Sequence, residues 1–378
     1  MKILVIGLSD KIGGVENFIR NFVSRIEDDD VKFEFLVTVK KASFEEELSN
    51  THKFYHILLS RKKHPLKIKK EIMKIYCENN FDAIWLNDCS LNQFFFIKYA
   101  KEAGISCRIV HSHNSYFMDY GKYRYIRLAI HKLNRLFVRK YATDFWACSN
   151  EAARFFFLKK EIKSKNFKII KNAIDTKRFL FNEKSREKIR KQLNLEDKHV
   201  YIQVGRLHKQ KNPMFSIEIF NEILKKDENA IMIFVGTGEL KETLLKRAKE
   251  LKMEKYVYFL GVRDDINDLI SASDVFMLPS LYEGLPIVLI EAQCSGIPCA
   301  ISDNITKECN INNDINAFIN LNDREKWINT VMNMVKKEIK RDLYREKVIE
   351  AGFEITNECN LVKKFFLKIN RRKNEKSC

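Results

Sequence analysis

The most constraining feature of this sequence is an alternation of short, almost wholly apolar segments with longer segments of helical periodicity. In the first half, apolar runs predict strands at residues 3–6, 33–39, 83–86, 108–111 and 145–147. The segments between them predict helices at residues 16–26, 66–78, 91–103 and 122–141. Strands without polar alternation are typical of a parallel sheet that is covered by helices on both faces.

The same pattern begins again in the second half. It predicts strands at residues 200–204, 231–235, 256–259, 275–278 and 298–301, and helices at residues 214–225, 240–251, 265–271 and 286–294. Two such series predict an α/β chain of two doubly wound, Rossmann-like domains, with the ligand cleft expected between them. The polar stretch 182–198 marks the boundary, so we expect domains at residues 1–181 and 182–355. A helical pattern within the last segment, residues 356–378, is expected to return to the first domain.

The charge of the chain is high and uneven. Lys and Arg number 68 against 50 Asp and Glu, a net charge of +18, and residues 1–180 hold 34 of the basic residues against 20 of the acidic ones. The first domain is therefore expected to face an anionic partner, such as a lipid surface, a nucleic acid or a phosphorylated acceptor. No apolar run reaches the roughly 18 residues of a membrane-spanning helix. Without such a run we expect a soluble, cytoplasmic protein. The nine cysteines are scattered and include no C-x-x-C pair, so the sequence predicts neither a disulfide framework nor a zinc site.

Two loops of the first domain follow predicted strands, where doubly wound domains bind their ligands. Gly13-Gly14 opens a helix and would let the backbone approach an anion there, although a plain tight turn explains it equally well. His111-Ser112-His113-Asn114 ends a strand, and its histidines are either structural or functional. A nearby carboxylate or third histidine that would complete a metal site is lacking.

The loops of the second domain carry cations and glycines. Arg206 and Lys211 follow its first strand and suit a diphosphate, the alternative being a solvated basic loop. Gly236-Thr237-Gly238 lacks the third glycine of a dinucleotide fingerprint, which disfavours a nicotinamide or flavin cofactor.

The most specific segment is Pro279-Ser280-Leu281-Tyr282-Glu283-Gly284-Leu285-Pro286, which runs into a helix that carries Glu291. Pro286 suits the first helical position. The amides of Gly284 and Leu285 would then lie free at the positive end of the helix, where an anion binds readily. Glu283 and Glu291 could accept hydrogen bonds from sugar hydroxyls.

With this E-x7-E segment, Gly13-Gly14, His113, Arg206 and Lys211, the chain resembles the family-4 retaining glycosyltransferases of the GT-B fold, the type found in bacterial capsule, exopolysaccharide and lipopolysaccharide clusters. The resemblance implies donor binding by Gly14, Arg206, Lys211, Gly236, Val262, Glu283, Gly284, Leu285 and Glu291. It implies catalytic roles for His113, Glu283, Arg206 and Lys211, with His111 in reserve because the register of that strand end is open. The two cations would neutralise the departing diphosphate, so no metal is implied. Apart from the nucleotide-diphosphate sugar co-substrate, no cofactor is implied either.

The basic stretch 120–141 interleaves cationic and apolar residues at helical spacing and holds no acid between its ends. It predicts an interfacial helix, the alternative being a helix packed on the sheet with a solvated basic face. The basic run 61–63 adds to the charge of the same domain. We therefore expect a hexosyltransferase that uses a UDP-sugar on a lipid-linked acceptor, peripherally bound to the inner face of the cytoplasmic membrane. A nucleotide-sugar epimerase of the same fold and a nucleic-acid-binding module are the alternatives, the latter disfavoured because no nucleic-acid-binding motif accompanies the charge.

Overall fold

The computed structural model describes residues 1–59, 64–117 and 121–374. The chain forms two compact units, Met1–Ala173 with Ile355–Cys378 and Ile174–Glu354. The first unit thus ends eight residues before the predicted boundary at residue 181. The reason lies in contacts of the segment that follows it: the Ile174 amide donates to the Phe353 carbonyl at 2.9 Å, and Phe179 is buried in the core of the second unit.

The first unit is built on a seven-stranded parallel sheet in the order β3-β2-β1-β4-β5-β6-β7. Its strands are β1 (Lys2–Ile6), β2 (Lys32–Val37), β3 (Phe54–His56), β4 (Ala83–Asp88), β5 (Cys107–Ser112), β6 (Asp144–Ala147) and β7 (Phe167–Ile169). Its helices are α1 (Gly14–Ile26), α2 (Glu45–Leu48), α3 (Pro65–Glu78), α4 (Phe95–Glu102), α5 (Arg124–Tyr141), α6 (Asn150–Phe156) and α7 (Lys159–Ile162). The basic run 61–63 lies outside the described residues, as does the start of the basic stretch at residue 120.

The second unit is built on a six-stranded parallel sheet in the order β10-β9-β8-β11-β12-β13. Its strands are β8 (His199–Val204), β9 (Ala230–Val235), β10 (Val257–Gly261), β11 (Val275–Leu278), β12 (Cys299–Ser302) and β13 (Asn316–Ile319). Its helices are α8 (Glu183–Leu193), α9 (Pro213–Leu224), α10 (Lys241–Glu250), α11 (Ile266–Ala272), α12 (Ile287–Cys294), α13 (Arg324–Val335) and α14 (Tyr344–Glu350). The predicted fold class, an α/β chain with two doubly wound parallel sheets, is confirmed.

The stretch predicted as a domain boundary, residues 182–198, contains the helix α8. Ile189 on this helix is buried in the core of the second unit, and Arg190 donates to the Ala272 carbonyl at 2.8 Å. The segment is therefore part of the second unit, and its polar composition reflects a helix that buries only a narrow side.

The last helix, α15 (Ile355–Asn374), completes the core of the first unit. Its side chains Val362 and Phe366 are fully buried, and the Phe366 ring lies 5.9 Å from that of Trp85. Lys363 on the same helix forms an ion pair with Asp28. Within the described residues, the structure holds no helix with the length and apolar character needed to cross a membrane.

The strand orders place the functional loops. In each sheet the first three strands extend from the centre to one edge, and the chain then returns to the centre and adds the remaining strands toward the other edge. The strand order therefore reverses between β1 and β4 in the first sheet and between β8 and β11 in the second. Loops at the carboxyl ends of such strands leave a crevice that binds ligands in doubly wound proteins.

Candidate active site

The loops after β8 and β11 meet at the carboxyl edge of the second sheet. The Leu281 amide donates to the Gln210 carbonyl at 2.8 Å. Between the same loops, Lys211 Nζ lies 2.6 Å from Glu283 Oε1, and these two side chains are only 17% and 9% exposed. The structure therefore brings two predicted site residues into one sheltered ion pair.

Two glycines allow the β8 and β9 loops to lie this close together. A Cβ atom on Gly236 would lie 2.1 Å from the Gly205 carbonyl oxygen, and one on Gly238 would lie 2.4 Å from the Leu207 carbonyl oxygen. Gly205 itself, with φ of +142°, lies under the lysine stem, since an added Cβ would be 3.2 Å from Lys211 Cε. Gly236 was predicted to bind the donor, and its packing against the β8 loop gives it a structural reason as well.

The remaining predicted residues of the second unit lie at the same edge. The Gly236 amide donates to the Gly261 carbonyl at 2.7 Å and so joins the β9 and β10 loops. Val262, which follows, is 76% exposed, whereas the Arg263 guanidinium is held by both oxygens of Asp265. Arg206 is exposed, and its side chain has no partner among the residues that the structure describes.

Helix α12 carries the second glutamate of the motif. The helix begins at Ile287, and Pro286 is its N-cap, one position earlier than expected, so Gly284 and Leu285 still precede the positive helix end. Desolvation raises the pKa of Glu291 to about 7, an effect opposed by the positive charges of Arg178 and Lys211. A carboxyl group with this pKa exchanges its proton near neutral pH.

Arg178 is a site residue that the sequence did not point to. It lies shortly after the first residue of the second unit and donates to the Asp264 carbonyl in the loop after β10. Its charge acts on Glu291, which is distant in sequence. In the sequence Arg178 is a single arginine three positions after Asp175. A single arginine is too common to predict a binding site.

The first unit holds its own group of polar residues at the carboxyl ends of β4 and β5. His113 Nε2 lies 3.0 Å from Asn87 Oδ1, and its Nδ1 lies 3.2 Å from Asn172 Oδ1. Burial lowers the pKa of His113 to about 3, so the ring is neutral. Because a neutral imidazole donates from only one nitrogen, one of the two amides must present its NH₂ group to the ring.

His111 lies behind His113 and is fully buried. Its ring centroid is 4.2 Å from that of His113, and aromatic rings of Phe18, Trp85 and Trp146 surround it. Burial, with a smaller contribution from His113, lowers the pKa of His111 well below its usual value. His111 therefore lies among aromatic side chains of the core, whereas His113, also buried, contacts two amide side chains.

Gly14 is the first residue of α1, and Gly13 is its N-cap. A Cβ atom on Gly14 would meet nothing within 4 Å, which leaves this helix end open to a ligand. Gly13 is tighter, since an added Cβ would lie 2.9 Å from Glu16 Oε2. The Glu16 carboxylate also accepts a hydrogen bond from Ser9 Oγ at 2.7 Å, which fixes the loop that precedes the helix.

No group of three His, Cys, Asp or Glu side chains that could hold a metal ion occurs in residues 1–59, 64–117 and 121–374. The predicted site residues thus form two groups, one at the carboxyl edge of each sheet.

Residues 185–353 match the family model of glycosyl transferases group 1. EpsF of Bacillus subtilis (strain 168), described as a glycosyltransferase, is 27% identical over 348 residues, which is 90% of each chain. The UDP-Gal:alpha-D-GlcNAc-diphosphoundecaprenol alpha-1,3-galactosyltransferase of Escherichia coli is 28% identical over 276 residues, or 71% of this chain and 70% of that protein. The crystal structure of HepE from Anabaena in complex with UDP is similar with a TM-score of 0.72 at 17% identity, covering 100% of this chain and 99% of HepE.

The two Rossmann-like units and this structural similarity define a protein of the GT-B fold class. Residues 185–353 are a domain of the group 1 glycosyl transferases. The resemblance drawn from the E-x7-E segment is thereby confirmed, and the activity is glycosyl transfer.

Proposed function

We propose that this glycosyltransferase moves a hexose from a UDP-sugar to a lipid-linked acceptor during synthesis of a surface polysaccharide, with retention at the anomeric carbon. Two relatives support the substrate classes. The Escherichia coli relative is named for a UDP-sugar donor and a diphosphoundecaprenol acceptor, and HepE was crystallised with UDP.

The observation that carries the proposal is the Lys211–Glu283 ion pair at the carboxyl ends of β8 and β11. A second cation, Arg206, is exposed in the same loop as Lys211. A diphosphate leaving group gains negative charge as its bond to the anomeric carbon breaks. Fixed cations that meet this charge stabilise the transition state. In the proposed reaction the leaving UDP takes the bonding electron pair. The acceptor hydroxyl oxygen forms the new bond to the same carbon, and its proton passes to the departing diphosphate.

The other residues divide the donor among them. The backbone amides of Gly284 and Leu285 would contact the phosphates with Gly236 and Gly14, and the backbone around Val262 would meet the base. Glu291 would accept from the ribose hydroxyls and Glu283 from hydroxyls of the transferred sugar, while His113 would lie near the reacting sugar. In this proposal Arg206 and Lys211 neutralise the diphosphate without a metal ion.

A lipid-linked acceptor remains in the bilayer, so the proposal places the enzyme at an anionic membrane surface, on its cytoplasmic face. The uneven charge of the sequence supports this location, because residues 1–180 carry 34 basic against 20 acidic residues.

The test is incubation of the full chain with a panel of labelled UDP-sugars and a membrane extract. Label in the lipid fraction, in a product whose anomeric configuration matches that of the donor, is the expected result. Interconversion of free UDP-sugars without lipid label would support an epimerase instead, and binding to nucleic acid alone would support a binding module. Glu291→Ala should lower turnover roughly ten- to hundred-fold through one lost charge-assisted contact. Lys209→Ala, which changes an exposed cation of the loop after β8 to which the proposal gives no contact, is the control.

A further inference from the structure

Helix α5 presents an apolar side to solvent, the reverse of an ordinary surface helix. Its four residues Ile126, Ile130, Leu133 and Phe137 recur at intervals of four, three and four, so they form one stripe along the helix. All four are exposed, Ile126 to 59% and Leu133 to 57%. We call these four residues the outer stripe. Leu136 and Tyr125 extend it on one side and are also exposed.

The inner side of α5 is held to the first unit by Val138, which is fully buried in its core, and by a set of polar contacts. The Leu91 amide donates to His131 Nδ1 at 3.1 Å, and the other ring nitrogen lies 3.2 Å from the Phe155 carbonyl oxygen. Asn134 Nδ2 donates to the Leu91 carbonyl at 2.8 Å, and the Arg135 guanidinium donates to the Phe157 carbonyl at 2.7 Å. These directional bonds fix which side of the helix faces outward.

Basic side chains flank the outer stripe. Lys122, Lys132, Arg139 and Lys140 are all exposed, and residues 121–141 include no Asp or Glu. Two copies of this helix packed stripe to stripe would bring these cations together without an acidic partner on either helix. The charge therefore opposes a second copy of the chain and favours an anionic surface with an apolar interior.

We propose that the outer stripe of α5 inserts into the acyl boundary of an anionic bilayer, with the flanking cations on the lipid headgroups and the helix lying in the membrane plane. This inference rests on the proposed function, because the proposed acceptor is lipid-linked. It assigns membrane binding to one side of helix α5. In this proposal the apolar residues contribute to the binding free energy as much as the basic residues do.

The test uses vesicles of phosphatidylcholine mixed with phosphatidylglycerol, and sedimentation of the full chain with them. Ile126→Ser, Leu133→Ser and Phe137→Ser together should weaken binding at least about tenfold, because each removes apolar area from the interface. The matched control changes three exposed leucines elsewhere, Leu245, Leu343 and Leu361, to serine and should sediment like the wild type. Replacing Lys132, Arg139 and Lys140 by glutamine should cost about fivefold for each charge at low salt.

A tryptophan placed on the stripe reports insertion directly. The three native tryptophans are fully buried, so the emission of Leu133→Trp should shift to the blue when anionic vesicles are added, over a constant background. Unchanged emission, or a triple serine variant that sediments normally, would overturn the inference. A dimer in solution that the serine changes dissociate would overturn it in favour of a second copy.

UDP binding separates this inference from the proposed function. Calorimetry with UDP should give the same affinity for the triple serine variant as for the wild type, because all three changes lie in the first unit and at none of the residues proposed to bind the donor. Intact UDP binding without vesicle binding overturns only the membrane inference. Vesicle binding without UDP binding supports the membrane surface and overturns the proposed donor.

Discussion

The Lys211–Glu283 pair allows a test that separates a structural from a functional role for the lysine. Lys211→Met removes the cation but keeps most of the aliphatic stem that lies over Gly205. Glu283 then remains largely buried without its partner at 2.6 Å. Breaking a fully buried pair costs about 3–5 kcal/mol, and this pair is slightly exposed, so we expect a loss of about 2 kcal/mol in the free energy of unfolding.

Adding Glu283→Gln to Lys211→Met should restore most of that stability, because no uncompensated charge is left. Turnover should stay roughly ten- to hundred-fold low, since the diphosphate still lacks its cation. The stability readout is urea unfolding with hydrogen exchange at the Leu281 amide, which joins the two loops. Lys209→Met, an exposed change in the same turn, should alter stability by less than about 0.5 kcal/mol.

The result that would refute the phosphate role is recovery of near-normal turnover and UDP affinity in the double variant. Lys211 would then serve only to neutralise Glu283, and the cationic site would have to be sought elsewhere. UDP affinity that stays low while stability returns supports the proposed contact, because Glu283 is proposed to meet the transferred sugar and not the diphosphate. The stability measurement is needed because Lys211→Met alone lowers turnover under either explanation.

Five further outcomes are expected. Because the pKa of Glu291 is raised to about 7, its contribution to the free energy of unfolding is present at acid pH and is lost as pH rises from about 4.5 through 7. In unfolding curves measured across that range, Glu291→Gln should reduce the dependence of the free energy of unfolding on pH. The same ionisation makes the carboxylate an acceptor, so calorimetry should show UDP affinity rising over that window in the wild type only. His113, whose pKa lies near 3, should remain neutral by NMR at pH 5, and its titration should not shape the pH profile of turnover. Turnover should survive excess EDTA, and loss of activity that manganese restores would show that the two cations do not suffice. Gly236→Ala should destabilise the chain by roughly 2 kcal/mol or more in urea unfolding, because its Cβ meets the Gly205 carbonyl and its φ is +129°, whereas Gly14→Ala should not.

The sequence predicted the central strands of both sheets and missed three edge strands. Each central strand is a local apolar run that is buried on both faces, so its pattern is visible without knowledge of its neighbours. The missed strands β3, β7 and β13 are three, three and four residues long and lie at the edges of their sheets. They include polar residues and are strands because a neighbour pairs with them, which no local pattern records.

In the candidate site, too, residues in one continuous segment could be predicted from the sequence, whereas partners from distant segments could not. Glu283 and Glu291 are separated by eight positions across one loop and one helix, so the sequence alone could place them together. The partners that define the chemistry of the site come from elsewhere: Asn87 and Asn172 hold His113, and Arg178 acts on Glu291. Each is an ordinary polar residue by sequence, and only the crossing of distant strands and loops gives it a role.

Helix α5 shows why composition alone could not decide between an interfacial helix and a packed helix with a solvated basic face. Both interpretations assumed that apolar residues would face the protein unless a membrane took them. In the structure His131, Asn134 and Arg135 face the protein, because backbone groups of neighbouring segments offer them hydrogen bonds. These polar contacts, together with the buried Val138, hold the inner side of α5, so that the apolar residues Ile126, Ile130, Leu133 and Phe137 lie on the outer stripe. The basic residues then act beside an apolar surface, so salt should weaken membrane binding without abolishing it, since screening reduces the charge attraction and leaves the apolar part.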